Sequence, residues 1–135
     1  MSASLQNMRI LVVDDDADTR ELLQLLLQQT GAEVIAAESV DSAVKEFNCC
    51  PPDLVVSDIR LRSSDGFELM KAIREKNKEY RGFTPAVALT GFSSPGDKER
   101  AIAAGFNAYI IKPFDPDEMI ETIEKVLRDS IQSAA

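Results

Sequence analysis

The sequence predicts one α/β domain in which a parallel sheet is covered by helices on both faces. Short apolar segments typical of strands alternate five times with segments whose apolar residues recur at helical spacing. Three strand segments are continuously apolar inside, as expected of strands buried on both faces of a parallel sheet. The length of 135 residues fits a single domain. Five strand–helix units therefore indicate a doubly wound fold with right-handed crossovers.

The elements can be assigned in order along the chain. We predict strands at residues 9–14, 33–37, 53–58, 85–90 and 108–111. A leucine-rich helix follows the first strand, with a core stripe formed by Leu22, Leu23, Leu26 and Leu27. The helix after the second strand has apolar residues at i, i+3, i+4 and i+7: Val40, Ala43, Val44 and Phe47. The last helix has the same pattern at Met119, Ile120, Ile123, Val126 and Leu127.

Helix ends are marked by capping residues. Asp65 followed by Glu68 is the pattern of a capping box at the start of the third helix. A capping residue followed by proline predicts two more starts, at Ser94-Pro95 and Asp115-Pro116. Two glycines stand where helices are expected to stop, Gly31 and Gly105.

The composition excludes several classes of site. The absence of histidine excludes Ser-His-Asp and Cys-His catalysis and histidine metal sites. The 23 acidic residues outnumber the 15 basic ones, and a net charge of -8 disfavours direct binding to nucleic acid or an anionic membrane. The cysteines, Cys49 and Cys50, are neighbours that should fill the end of the second helix, and adjacent residues rarely form a disulfide. Without a disulfide framework, a signal peptide or a membrane-length apolar run, we expect a cytoplasmic protein.

Polar residues stand at the carboxyl ends of four predicted strands. Asp14 and its neighbours end the first strand, Asp58 the third, Thr90 the fourth and Lys112 the fifth. These ends meet at one edge of the sheet, where ligands bind in doubly wound folds. Clustered carboxylates repel one another, and a hard cation such as Mg²⁺ offsets their charge. Together with a lysine and a hydroxyl they suit phosphoryl transfer, with Asp58 as a candidate nucleophile that would form an aspartyl-phosphate.

Five short motifs occur in order along the chain. They are Val12–Asp15, Pro52–Asp58, Asp65-Gly66, Ala88–Gly91 and Gly105–Phe114. With these motifs, residues 8–128 resemble the receiver domain of bacterial two-component response regulators. The resemblance implies a flavodoxin-like (βα)5 fold with strand order 2-1-3-4-5. We expect flexible tails at residues 1–7 and 129–135.

The resemblance also implies how the acidic residues act. Asp58 would accept a phosphoryl group from a phosphohistidine on a sensor histidine kinase or a phosphotransfer domain. Asp15 would bind Mg²⁺ directly, Asp14 largely through water, and Asp58 and the backbone carbonyl of Arg60 would complete the protein ligands. Any enzymatic activity would be weak phosphotransferase and autophosphatase chemistry on Asp58 itself.

Signal output would depend on residues further along the chain. The resemblance implies that Thr90 and Lys112 hold the phosphoryl oxygens, and that the Lys112–Pro113 bond is cis. Tyr109 would turn inward when Thr90 moves toward the phosphate. The output surface would then be the fourth helix, the fifth strand and the fifth helix, read by a downstream protein or an attached effector domain. The sequence names neither the kinase nor the target.

Three alternatives compete with this interpretation: an adaptor, an aspartyl phosphatase and a calcium site. A phosphorylation-independent adaptor of the same fold would be favoured by a degenerate acidic pocket, whereas this pocket is complete. An aspartyl phosphatase needs threonine or valine four residues after its nucleophile, and neither Asp14 nor Asp16 has one there. A calcium loop starting at Asp14 would need glycine at Thr19 and glutamate at Leu25.

Four residues depart from, or vary within, the common receiver pattern. Arg62 stands where many receivers have proline, and Gly91 stands where alanine is more frequent. Arg60 and Phe92 occupy variable positions that tune how fast water reaches the phosphate. Neither side chain can accept a proton from that water, so we expect slow to moderate loss of the phosphoryl group.

Overall fold

Five parallel strands form one sheet in the order β2-β1-β3-β4-β5, within the part of the chain that the computed structural model describes. That part comprises residues 5–61, 65–80, 82–91 and 94–134, the last four by their backbone alone. The strands are β1 (Arg9–Val13), β2 (Glu33–Ala37), β3 (Leu54–Ser57), β4 (Ala86–Thr90) and β5 (Ala108–Ile111). The predicted strand order and parallel arrangement are confirmed.

One helix follows each strand. The helices are α1 (Ala17–Gln28), α2 (Val40–Cys49), α3 (Gly66–Tyr80), α4 (Asp97–Ala104) and α5 (Pro116–Ala134). Leu11 and Val13 of β1 face the core layer beneath α2, α3 and α4, whereas Ile10 and Val12 face the layer beneath α1 and α5. Successive strand residues point to opposite faces, so a strand with helices on both sides must be apolar at every position.

The capping signals predict most helix ends correctly, but the predicted start of α4 is wrong. Asp65 accepts a hydrogen bond from the Glu68 N–H at the start of α3, and Gly105 ends α4 with a φ of 116°. We expected α4 to start at Ser94-Pro95. Instead these residues form a turn, because the Asp97 N–H donates to the Ser94 carbonyl and the Asp97 carboxylate accepts from the Ser94 N–H. The helix then starts at Asp97, after a left-handed glycine.

The ends of the described chain are more ordered than predicted. Leu5 belongs to the segment expected to be a flexible tail, yet its side chain is buried in the core, and its N–H donates to the Thr30 carbonyl. At the other end, the tail expected from residue 129 is helical as far as Ala134. Residues 1–4 lie outside the described part.

The leucine stripe of α1 is narrower than predicted. Leu23 and Leu27 are buried, whereas Leu22 is 47% exposed and Leu26 is only partly buried. One helix face packs on the sheet, so a leucine next to that face can remain in solvent. None of the described helices combines the length and the apolarity needed to cross a membrane.

Candidate functional site

The hydrogen-bond pattern of the sheet continues past the strands and places the polar residues at one edge. The Asp58 N–H donates to the Val13 carbonyl at 2.9 Å, and the Lys112 N–H donates to the Thr90 carbonyl at 2.7 Å. Asp14 directly follows β1 and is held in the same way by β2. The backbone therefore fixes where these side chains begin, although they are far apart in the sequence.

An ammonium group joins two of the carboxylates. Lys112 Nζ lies 2.8 Å from Asp14 Oδ2 and 3.1 Å from Asp58 Oδ2. Asp14 is 1% exposed and Asp58 is 9% exposed, so both bonds are shielded from bulk water. Asp15 brings a third carboxylate, and one oxygen of each acid lies within 4.8 Å of the others. The structure thus brings together all three predicted carboxylates and the predicted lysine.

Burial and the neighbouring charges shift the pKa values of Asp14 and Lys112. Burial raises the pKa of Asp14, although hydrogen bonds from Lys112 and from the Asp16 N–H oppose this. Burial also opposes the charge on Lys112, but the bond to Asp14 and the charges of Asp58 and Asp14 outweigh it and raise the pKa of the lysine. Lys112 contacts two of the three carboxylates. The donor set, which consists of oxygens, fits a hard divalent cation.

The loop after β3 holds Asp58 in place. Its Oδ1 accepts a hydrogen bond from the Arg60 N–H at 3.1 Å, and the Ser57 hydroxyl donates to its carbonyl at 2.8 Å. Gly66 packs directly against this loop, and a Cβ added there would lie 2.7 Å from the Asp58 carbonyl oxygen. In the sequence, Asp65-Gly66 is one of the five motifs, but nothing there assigns the glycine a role. The close approach supplies that role, because no larger residue fits without moving the backbone.

The acidic turn after β1 has two parts. Asp14 faces the cluster, and its carbonyl accepts a hydrogen bond from Arg20 Nη1 at 2.8 Å, a contact that the sequence did not predict. Asp16 faces away toward α1, where the Thr19 hydroxyl donates to its carboxylate at 2.6 Å and lowers the pKa of Asp16. Asp16 therefore belongs to the start of the helix, as its position beside Asp18 indicated.

The remaining predicted residues flank the cluster. Thr90 is buried at the end of β4, and the Lys112–Pro113 bond is cis, as expected. Tyr109 packs against the core layer beneath α3 and α4. Its hydroxyl is buried and has no hydrogen-bond partner among the described residues. The backbone of Arg60 lies beside Asp58, and the role of its carbonyl stays a prediction.

Two further residues named from the sequence, Arg62 and Phe92, lie outside the described part. Gly91 lies inside it, and a Cβ there would meet Lys112 side-chain atoms at 3.6 and 3.7 Å. These are ordinary contacts, so an alanine would fit at this position.

Comparison with known proteins identifies the fold and the family. The family model for the response regulator receiver domain matches residues 10–124. The chain belongs to this family. Receiver domains act in phosphorylation-mediated signalling, generally use Mg²⁺ at an acidic pocket, and partner with kinases and attached effector domains. The described residues of this chain include a cluster of three carboxylates at the carboxyl edge of the sheet.

Receiver-domain relatives differ in how much of their length this chain spans. It is 42% identical to an uncharacterized 14.6 kDa protein of Leptolyngbya boryana over 90% of this chain and 92% of that protein. It is 37% identical to the phosphate regulon transcriptional regulatory protein PhoB of Escherichia coli, over 89% of this chain but 52% of PhoB. The chain thus spans about half of that regulator.

Solved structures show the same contrast. Chemotaxis protein CheY4 of Vibrio cholerae has a TM-score of 0.81 and 32% identity, covering 88% of this chain and 98% of CheY4. NtrX of Brucella abortus, crystallised with ATP, has a TM-score of 0.85 and 34% identity, covering 94% of this chain and 28% of NtrX. The receiver fold therefore occurs both as nearly a whole chain and as part of a larger one.

Proposed function

We propose that this receiver domain is a switch that accepts a phosphoryl group on Asp58 from a phosphohistidine of a sensor kinase or phosphotransfer domain. The observation that carries the proposal is the contact of Lys112 Nζ with both Asp14 and Asp58 beside a third carboxylate. Lys112 bridges two carboxylates, and an oxygen of the third carboxylate lies close enough to share one ion with them, so this arrangement suits a cation and a phosphoryl group.

The residues that would hold Mg²⁺ are Asp14, Asp15 and Asp58, with the Arg60 carbonyl as a further ligand. Their oxygens lie close enough to share one ion, and the ion would neutralise charge on the phosphoryl oxygens. Burial of Asp14 supports this assignment, because burial raises its pKa in spite of Lys112, and a divalent cation would stabilise the charged form further. Mg²⁺ usually keeps several waters and takes one or two carboxylates, which agrees with Asp14 binding through water.

Phosphoryl transfer to Asp58 would then depend on positioning. An Asp58 carboxylate oxygen attacks phosphorus, a P–O bond forms, and the P–N bond to the donor imidazole breaks. Lys112 Nζ lies 3.1 Å from Asp58 Oδ2, so it can pass that hydrogen bond to a phosphoryl oxygen while it keeps Asp14. The Arg60 N–H holds the other carboxylate oxygen. The Thr90 hydroxyl would donate to a second phosphoryl oxygen.

The switch would act on α4, β5 and α5. Among described α4 residues only Asp97 and Ala101 are buried, so little apolar area holds this helix on the core. Tyr109 on β5 buries a hydroxyl without a described partner, which disfavours this packing. A pull on Thr90 by the phosphoryl group can therefore shift the balance between two arrangements. A downstream protein or an attached effector domain would read the difference.

A small acyl-phosphate donor tests the proposal without a kinase. With Mg²⁺, intact-mass analysis should show one added phosphoryl group, which Asp58→Asn abolishes while the far-ultraviolet circular dichroism spectrum is unchanged. Asp53→Asn, at the other end of β3, is the matched control and should still be phosphorylated. No adduct on the wild type would support the adaptor instead. Continuous hydrolysis of many phosphate esters would support the phosphatase.

A cytoplasmic location remains an expectation from the sequence.

A further inference from the structure

The two cysteines lie at the end of α2, away from the phosphorylation site. Cys49 is the last residue of the helix and Cys50 follows it, and both are exposed free thiols. Their Sγ atoms lie 3.6 Å apart. β1 and β3 begin at this edge of the sheet, whereas Asp58 lies at the edge where the strands end. The pair therefore forms a separate chemical site.

A guanidinium makes the two thiols different. The Arg9 guanidinium, whose charge favours the thiolate, lowers the pKa of Cys50, whereas the hydrogen bond with Cys50 raises the pKa of Cys49. Arg9 is held in place, because its Nη2 lies 3.2 Å from Glu33 Oε1 and its backbone N–H donates to Asp53 Oδ2 at 2.8 Å. One sulfur is thus favoured as a thiolate and its neighbour as a thiol.

We propose that Cys50 and Cys49 form an oxidisable dithiol, in which a hydroperoxide oxidises Cys50 and Cys49 resolves the product. Two geometric features favour this chemistry: both sulfurs are exposed, and they lie in contact with each other. The anchored Arg9 guanidinium supports it by favouring one thiolate. In a reducing compartment such a pair is kept reduced, and its oxidation is transient.

The chemistry has two balanced steps. The Cys50 thiolate attacks a peroxide oxygen, so that an S–O bond forms, the O–O bond breaks, and the other oxygen leaves as hydroxide or alkoxide and takes a proton. Sulfur loses two electrons and the peroxide gains them. The Cys49 sulfur then attacks the Cys50 sulfenic sulfur, an S–S bond forms, and the S–O bond breaks. The released hydroxide takes the Cys49 proton and leaves as water.

The backbone at this point can adapt to the S–S bond. Cys50 lies outside the helix in an extended conformation, with φ of -145° and ψ of 91°, and its N–H makes the last hydrogen bond to Glu46. Rearrangement of the Cys49–Cys50 peptide therefore breaks at most this terminal hydrogen bond, and the remaining cost is the strain of the eight-membered ring that the S–S bond closes. Because adjacent residues are closer than the Cα separation that disulfides usually span, we expect the bond to be reduced readily by dithiothreitol.

Peroxide oxidation followed by intact-mass analysis tests the proposal. The wild type should lose two hydrogens and regain them with dithiothreitol, whereas Cys49→Ser should accumulate a Cys50 sulfenic acid that dimedone traps. Arg9→Gln should slow oxidation several-fold, and Cys50→Ser should slow it at least as much. The proposal is overturned if Cys50→Ser or Arg9→Gln is oxidised at the wild-type rate, or if only disulfides between chains form. Phosphorylation of Asp58 does not enter these measurements, so they are independent of the proposed switch.

Discussion

Replacing Gly66 with alanine is the sharpest test of how the site is supported. The added Cβ would lie 2.7 Å from the Asp58 carbonyl oxygen and 3.1 Å from the Ile59 Cα. Both are backbone atoms of the loop that carries Asp58, so neither can swing aside as a flexible side chain would. The loop or the start of α3 must move, and the Asp58 carboxylate should move with it.

The expected loss of stability follows from two opposing effects. Forcing a methyl group into a packed region typically costs about 1–3 kcal/mol. Alanine is favoured over glycine inside a helix by about 1 kcal/mol, but Gly66 is the first residue of α3, where this gain is smaller. The free energy of unfolding should therefore fall by about 1–2 kcal/mol. Mg²⁺ affinity should fall too, because the Asp58 oxygens leave the shared cluster.

Urea unfolding and Mg²⁺ titration give the measurement, and Gly82→Ala gives the control. A Cβ at Gly82 meets nothing within 4 Å, and its φ is not in the left-handed range. That change should be neutral or stabilise by up to about 1 kcal/mol, because alanine restricts the unfolded chain. If Gly66→Ala is as stable as Gly82→Ala and binds Mg²⁺ equally well, the close approach does not hold Asp58 in place.

Three further substitutions test the charges. Asp15→Asn should weaken Mg²⁺ binding at least about tenfold, because it removes a ligand. Asp18→Asn, which changes an exposed acid, should leave the Mg²⁺ affinity unchanged. Equal affinities of the two variants in calorimetric titration would refute the ligand assignment. Asp14→Asn should stabilise the metal-free protein at neutral pH, because burial raises the pKa of Asp14 above its ordinary 3.8. The folded wild type therefore binds a proton on Asp14 more tightly than the unfolded chain does, and its free energy of unfolding recovers as pH falls through the raised pKa. The difference in stability between mutant and wild type should then shrink. A difference in urea unfolding that stays constant with pH would contradict this. Arg74→Lys should cost about 1–3 kcal/mol, because Arg74 donates hydrogen bonds to Asn77 and to the Thr84 and Gly105 carbonyls, and a lysine cannot reproduce this set. Arg100→Lys, on an exposed side chain, should cost little, and equal losses would show that the Arg74 hydrogen bonds are unimportant.

The sheet and the cluster were predictable because a strand buried on both faces is continuously apolar in the sequence, and a polar residue directly after it marks the strand end. β3 is buried at every position and is followed at once by Asp58. β5 lies at the edge of the sheet and is only partly buried, but it is apolar and is followed at once by Lys112. A parallel ladder aligns the strand ends, so a carboxylate and an ammonium 54 residues apart meet at 3.1 Å. The alignment depends only on strand order and register.

The start of α4 was not predictable, because local signals competed there. Ser94 followed by proline is a good helix start, but the Asp97 carboxylate binds the Ser94 N–H and Gly96 takes a left-handed φ of 89°. These contacts make a turn that delays the helix by two residues.

Leu5 was missed for a different reason. A single leucine in a short polar segment has no periodicity, and only the folded core shows that a place exists for it.

Arg74 bears most directly on how α4 can move, and nothing in the sequence distinguished it from a solvated arginine. It donates to Asn77 Oδ1 at 2.6 Å, to the Thr84 carbonyl at 2.7 Å and to the Gly105 carbonyl at 2.6 Å, and burial lowers its pKa to about 10. Gly105 ends α4, so these bonds tie the carboxyl end of that helix to α3. Its amino end begins after the left-handed Gly96. The displacement proposed for α4 would therefore pivot near Gly105, and the amino end of the helix would move together with the Ser94–Asp97 turn that precedes it.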